Sequence, residues 1–282
     1  MVSDVDRAGG SDTAFGVDAR WPNEPVDVGF YLRQWGDQFE PALGFIERRG
    51  VREYSLSGRY TWRPNLRWLR RVELGAFPDF TTDLENRLVA VESDAPVLTL
   101  ETPAGDVLKL ECLLDRDVLD EPFAIRPGIV IPPGNYSYWR LQPELKTSEA
   151  RPVSARLWMR TGEFYTGNHT ELGGSFEWHP SRHFFAGATY EHRDVSLREG
   201  DFEVHLASLR LHVAVGPDLT WSTVMQYDNL SDDVGLNSRV RWTIRPGSDV
   251  FLVWNQGWNY DDSRFRSINR EVVVKICAAF RF

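Results

Sequence analysis

The chain has 282 residues, enough for one large domain or two small ones, with a formal net charge of −9 and 13% aromatic residues. The acidity and the lack of any Lys/Arg cluster argue against nucleic-acid binding. A mean hydropathy of −0.38, with no run near the roughly 18–20 apolar residues of a spanning helix, excludes a helical membrane protein; it does not exclude a barrel, where only alternate residues meet lipid.

The first residues, MVSDVDRAGGSDTAFG, have neither a basic nor an apolar region of signal-peptide type. Period-2 alternation then runs from end to end, the mark of strands with two unlike faces. Phe15, Val17, Ala19 and Trp21 alternate with Gly16, Asp18 and Arg20; Tyr54, Leu56, Gly58, Tyr60 and Trp62 alternate with Ser55, Ser57, Arg59 and Thr61. Leu172, Gly174, Phe176 and Trp178 continue the pattern, followed by Leu219, Trp221, Thr223, Met225 and Tyr227, and then Leu236, Val240, Trp242 and Ile244. The last strand, EVVVKICAAFRF, sets Val272, Val274, Ile276, Ala278, Phe280 and Phe282 against Glu271, Val273, Lys275, Cys277, Ala279 and Arg281. No stretch of similar length has helical period, so the chain is all-β.

Short connections centred on Pro, Gly, Asn or Asp separate these strands, since such residues reverse the chain and cannot continue a central strand. They are PNEP (22–25), WRPNL (62–66), TPAGD (102–106), 148–152, WHPSR (178–182), VGPDL (215–219) and IRPGSD (244–249). Longer polar loops are expected at DVSLREGD after His192, DNLSDDVG after Tyr227 and NYDDSRFRS after Trp258. This arrangement gives about fifteen strands with every short turn at one end, which in a transmembrane barrel is the periplasmic end. Single-chain barrels favour even counts, so an odd count implies at least one strand before Met1. Trp62 and Trp178, each two residues before a turn proline, together with Phe280 and Phe282, mark a headgroup boundary at that end.

On the polar faces, a basic ladder stands out: Arg59, Arg156, Arg160, Arg210, Arg239, Arg241, Arg245 and Lys275, accompanied by Glu73, Glu171, Glu177 and Glu191. Two readings fit it. One is a charged lining that steers anionic solutes; the other, favoured by the mixed signs, is an Arg–carboxylate network filling the interior. Trp158 and Phe185 are expected on the same face, as sugar-stacking platforms or as interior packing. The six histidines are His169, His179, His183, His192, His205 and His212. His205 and His212 share a strand with Ser208, the nearest approach to a nucleophile–base set, but there is no G-x-S-x-G elbow and no H-E-x-x-H motif. Cys112 and Cys277 have no metal-ligand spacing, and the acidic pairs Asp232/Asp233 and Asp261/Asp262 lack the pattern of an EF-hand loop. No cofactor, metal or catalytic residue is assigned.

Several stretches resemble one family. FEPALGFIERRGVREYS (39–55), EPFAIRPGIVIPPGNYSYW (121–139), RPVSARLWMRTGEFYTG (151–167), MQYDNLSDDVGLNSRVRWTIRPGSDVFLVWNQGW (225–258) and the closing KICAAFRF look like the barrel called domain of unknown function 5916. That resemblance implies an outer-membrane β-barrel of no established activity, which usually follows a secretory signal and a carbohydrate-binding family 9-like module. Both are missing here, and the family defines no catalytic residue to carry over.

The expectation is a single domain over 1–282: an antiparallel up-and-down transmembrane β-barrel, the C-terminal part of a larger barrel. Its expected place is the cell outer membrane, with the lipid bilayer, the barrel assembly machinery that reads the Phe282-terminated strand, and an oligosaccharide ligand as partners. The role expected is porin- or receptor-like; the alternative is a barrel-embedded hydrolase acting on envelope lipid or sugar.

Overall fold

In the computed structural model, residues 2–7, 10–39, 48–261 and 264–279 are described. The strands are β1 (Val2–Arg7), β2 (Gly10–Pro22), β3 (Val26–Trp35), β4 (Val51–Trp62), β5 (Arg71–Asp83) and β6 (Leu88–Glu101). After them come β7 (Val107–Leu119), β8 (Phe123–Arg126), β9 (Ile129–Ile131), β10 (Gly134–Lys146), β11 (Val153–Phe164) and β12 (Gly167–Ser181). The series ends with β13 (Phe184–Leu197), β14 (Gly200–Ala214), β15 (Leu219–Asp228), β16 (Asp233–Arg245), β17 (Ser248–Asp261) and β18 (Arg264–Ala278). Sixteen of them form one antiparallel meander in chain order; β8 and β9 pair only with each other, so β7 is followed in the sheet by β10. Among the described residues, β1 and β18 are the two ends of the sheet.

The expected count of about fifteen becomes sixteen because Val2–Arg7, which carries no readable alternation, pairs with β2 from Val2–Phe15 to Arg7–Gly10. The odd count behind the expected missing strand is thereby replaced by an even one. All seven proline-centred connections lie at one end of the meander, as the alternating strand directions require; this is called the turn end below, and the opposite one the loop end. At the reversal after β16, Pro246 leaves Gly247 at φ +81°, a left-handed conformation that glycine takes without a Cβ clash.

The three polar segments expected as long loops are not long loops. DVSLREGD is mostly strand, and β13 and β14 reverse through two residues, Arg198 and Glu199. DNLSDDVG shrinks to residues 229–232 between β15 and β16, and the NYDDSRFRS segment is mostly β17 and β18. Polar composition in these segments marks strand ends that face solvent, not loops. Among the described residues the long loop-end connection is 120–133, which carries the β8–β9 hairpin.

The two faces of the sheet differ as the alternation predicts. Among the described residues, eight of the 11 tryptophans and 42 large hydrophobic side chains in all are exposed, against 12 buried hydrophobics. Tryptophan is normally highly buried. The exposed chains lie mainly on one face: Val26, Val28 and Phe30 on β3, Leu56 and Tyr60 on β4, Leu108 and Leu110 on β7, and Val272, Val274 and Ile276 on β18. At the turn end this face carries exposed Trp21, Trp62, Trp178 and Trp242, with Trp68 in the adjoining connection; at the loop end it carries Tyr260 and Phe265, whose rings are 5.0 Å apart. Phe280 and Phe282 lie outside the described residues.

Among the irregular seams, that between β10 and β11 has a two-residue gap. The β10–β11 ladder passes from Leu141–Thr161 to Glu144–Trp158 and leaves Gln142 and Pro143 unpaired, because proline has no N–H to donate. A cavity of about 620 Å³ opens there on the apolar face between Leu108, Leu145, Leu157 and Leu172.

Candidate functional site

The polar face carries most of the charged side chains, and the ladder divides into two groups. Arg156 bonds Glu144 at 2.6 Å, Arg160 donates to Gln142 at 2.6 Å, and Arg210 reaches Glu177 at 3.4 Å. Arg241 holds Asp249 through two nitrogens at 3.1 and 3.2 Å. These four belong to the interior-network reading. Arg59 instead lies over the Phe77 ring at 5.6 Å, Arg239 over Phe251 at 5.3 Å, and Arg245 reaches the Ser248 hydroxyl at 3.3 Å. Lys275 is exposed on the same face of β18. Among the described residues these four cations have no ion-pair partner.

The densest network centres on Glu171, whose side chain is 6% exposed. Its carboxylate accepts the Trp158 indole N–H at 2.9 Å and lies 3.3 Å from Arg193 and 3.7 Å from Arg160. Trp158 faces the polar side as expected, but its ring lies across Gly173, so close that a Cβ there would be 2.1 Å away, and the Arg156 guanidinium is 4.9 Å from the ring centroid. Phe185 likewise lies against Gly187 and 4.6 Å from the His179 ring. Both aromatics pack within the network.

A second sector is acidic and was not singled out from the sequence, although the i, i+2 spacing of Glu92/Asp94 and Asp115/Asp117 is readable there. It combines Asp79 of β5, Glu92 and Asp94 of β6, and Glu111, Asp115 and Asp117 of β7. Arg140 bonds Asp115, Gln142 donates to Glu111 at 2.9 Å, and the hydroxyls of Tyr138 and Tyr165 donate to Asp117 at 2.9 and 3.1 Å.

Over this face, at the loop end, folds the β8–β9 hairpin. Ile129 and Ile131 bury against Val195 and Leu197, with Leu119, Ile125, Phe164, Tyr165 and Phe202 around them. Ile131 is 0% exposed. Val195 shares its face of β13 with Glu191 and Arg193, and Phe202 shares its face of β14 with Arg210, so the hairpin lies on the polar side. Its anchor includes Tyr165, which turns the chain between β11 and β12 at φ +46°. A bulky residue there is strained; ring contacts with Phe164 (4.8 Å), Tyr136 (5.3 Å) and Tyr138 (5.5 Å) hold it. Burial, and then the Asp117 charge, push its hydroxyl up to about 12.

The nucleophile–base set is taken apart by strand parity. Ser208 and His212 lie on the polar face of β14, whereas His205 lies on the other. His212 Nδ1 instead meets Ser222 Oγ of β15 at 2.9 Å, and among the described residues no carboxylate contacts that histidine. Cys112 and Cys277 are free thiols on opposite faces of distant strands. Asp233 accepts from Asn259 at 3.0 Å, and Asp232 occupies a left-handed turn position at φ 53°; Asp262 lies outside the described residues. On the apolar side, His205 meets His192 and Glu203, a convergence that periodicity cannot reveal because it depends on cross-strand register.

No family model and no curated protein matches this chain. Its assignable class is therefore set by its geometry: an all-β, antiparallel, up-and-down sheet protein with one apolar and one polar face.

Proposed function

We propose that the sheet closes on itself, β18 against β1, into an outer-membrane β-barrel that serves the passage or capture of solutes, oligosaccharides among them. The apolar face carries this reading: in water it would expose a patch far beyond the few hundred Å² that soluble monomers tolerate, while against lipid tails it is the expected surface. Strands of 13–15 residues, such as β7, β12 and β14, exceed the roughly 9–11 needed to cross at a tilt. Tryptophans at the turn end fit an interfacial girdle. The even number of strands brings the ends of β1 and β18 to the same side, as neighbours in a ring must be. Closure also removes the bare edge of β18, which in lipid would leave unpaired backbone groups at several kcal/mol each.

In that barrel the polar face is the lumen, and the β8–β9 hairpin narrows its loop-end mouth. The turn end is periplasmic, and the assembly machinery would read the final strand with Phe280 and Phe282. The oligosaccharide class rests on the resemblance to domain of unknown function 5916 and its usual companion module.

The test is planar-bilayer recording of the chain refolded in detergent. Stepwise conductance that rises when the hairpin is cut from residues 122–132 to a short Gly-Ser link supports a constricted pore. A folded, inserted protein that stays silent in both forms refutes passage and leaves capture. The Ser222–His212 contact favours a second reading, the hydrolase. Labelling of Ser222 by a fluorophosphonate probe, lost in Ser222→Ala, would move the assignment there.

A further inference from the structure

We propose that His192, Glu203 and His205 form a binding site for a first-row transition-metal dication, zinc foremost, in the loop-end half of the β13–β14 hairpin on the apolar face.

Register makes the site. His192 and His205 are direct cross-strand partners, and Glu203 stands opposite Asp194, two residues along β14 on the same face. The donor atoms converge: His192 Nε2 is 3.8 Å and His205 Nε2 is 3.5 Å from Glu203 Oε2, and all three lie within 4.8 Å of one another. Ligand atoms sharing a tetrahedral zinc at about 2.0–2.2 Å are about 3.3 Å apart, so small side-chain rotations complete the set.

The arrangement is hard to explain without an ion. At 3.5 and 3.8 Å the imidazole–carboxylate contacts are too long to be good hydrogen bonds. His192 Nε2 is buried and has no hydrogen-bond partner, whereas buried polar atoms are normally satisfied. The two rings stack at 4.5 Å with 13° between their planes, which brings two cations together if both are protonated. A dication answers all three points.

The surroundings support the ligands as an outer shell does. The Tyr190 hydroxyl lies 2.8 Å from His205 Nδ1; with Nδ1–H donating to it, the Nε2 lone pair is free for metal. Asn229 accepts from the His205 backbone N–H at 2.7 Å and donates to the Glu203 carbonyl at 3.2 Å, pinning both ligand residues. A two-residue reversal joins the strands, so the scaffold is stiff. Two imidazoles and one carboxylate select zinc, copper, nickel or iron over magnesium or calcium. Water or an external donor completes the coordination.

The test uses the full chain folded in detergent and titrated calorimetrically with zinc chloride alone. The expected result is one zinc per chain, weakened in both Glu203→Gln and His192→Ala by at least the roughly 10–100-fold that loss of an outer-shell partner costs. Glu203 is 61% exposed, so its substitution leaves folding intact should His192→Ala fail to fold. Cobalt in place of zinc should give visible d–d bands that vanish in Glu203→Gln and persist in His179→Ala. Absence of zinc binding by the folded chain, equal binding by wild type and Glu203→Gln, or preference for calcium over zinc would each overturn the site.

Discussion

Leu157→Arg separates a lipid-facing sheet from a water-facing one. Leu157 is 58% exposed on the apolar face of β11. The strand starts at Val153, opposite Trp178 at the turn end. Four residues at about 3.3 Å each, tilted about 40°, place Leu157 roughly 10 Å inside an apolar band about 25 Å tall. That is close to the midplane, where arginine costs about 2–4 kcal/mol, or roughly a 30- to 800-fold shift in the folding equilibrium. A surface substitution in water costs within about 0.5 kcal/mol. The assay is urea-dependent folding into phosphatidylcholine vesicles, read by tryptophan fluorescence, with Ser55→Lys on the polar face as the control. The reasoning is refuted if Leu157→Arg shifts the midpoint no more than Ser55→Lys does, or if the wild-type chain folds fully in buffer without lipid.

Two further predictions concern the ends of the strands. Hydrogen bonds from Arg63 and Arg151 hold the Glu24 and Asp106 carboxyls below their ordinary values of 4.5 and 3.8. Depressed folded-state values mean that this stabilisation is complete above those ordinary values and is lost as pH falls through the folded ones. Unfolding midpoints should therefore be flat from pH 7 to about 5 on this account, then fall, and Glu24→Gln with Asp106→Asn should flatten the acid limb; an unchanged limb would discount these pairs. Ile131→Ala should cost about 2–4 kcal/mol, confined to the hairpin because β8 and β9 pair only with each other. Amide exchange over residues 123–131 should rise at least 30-fold while β12 to β14 stay protected, and equal protection in the variant would show that Ile131 is not the anchor.

What the sequence made legible follows from period 2. Alternation was strongest where one face is uniformly apolar, as on β4, β12, β16 and β18, and it assigned their faces correctly because a one-residue slip would invert every side chain. It failed where composition is polar on both faces: β1 shows no apolar face, and the ends of β13, β15 and β17 read as loops though their backbones are paired. The site was legible only in part. Parity could place Arg239 and Arg241 on one face, but not decide that Arg241 meets Asp249 while Arg239 meets Phe251. The β8–β9 hairpin escaped because FAIR and IVI are too short for a period to show, and their partners Val195 and Leu197 lie far along the chain.

The division of charge bears on what a lumen made from this face could select. In a ring of the sixteen sheet strands taken in order, β6 and β16 are eight places apart and so stand across from each other. The acidic sector of β5–β7, mostly in the loop-end half of its strands, would then stand across from β16 but above Arg241 and Arg245, which lie toward its turn end, and the unpaired cations are not a uniform basic lining. In such a lumen the paired arginines, above all those around Glu171, would stiffen the wall, and of the ladder cations Arg59, Arg239, Arg245 and Lys275 would be left to meet a solute. Selectivity should therefore follow the unpaired residues. Arg239→Ala should change reversal potential with little loss of stability, while Glu171→Ala should do the reverse, because it leaves the Trp158 indole N–H without its acceptor at a buried position.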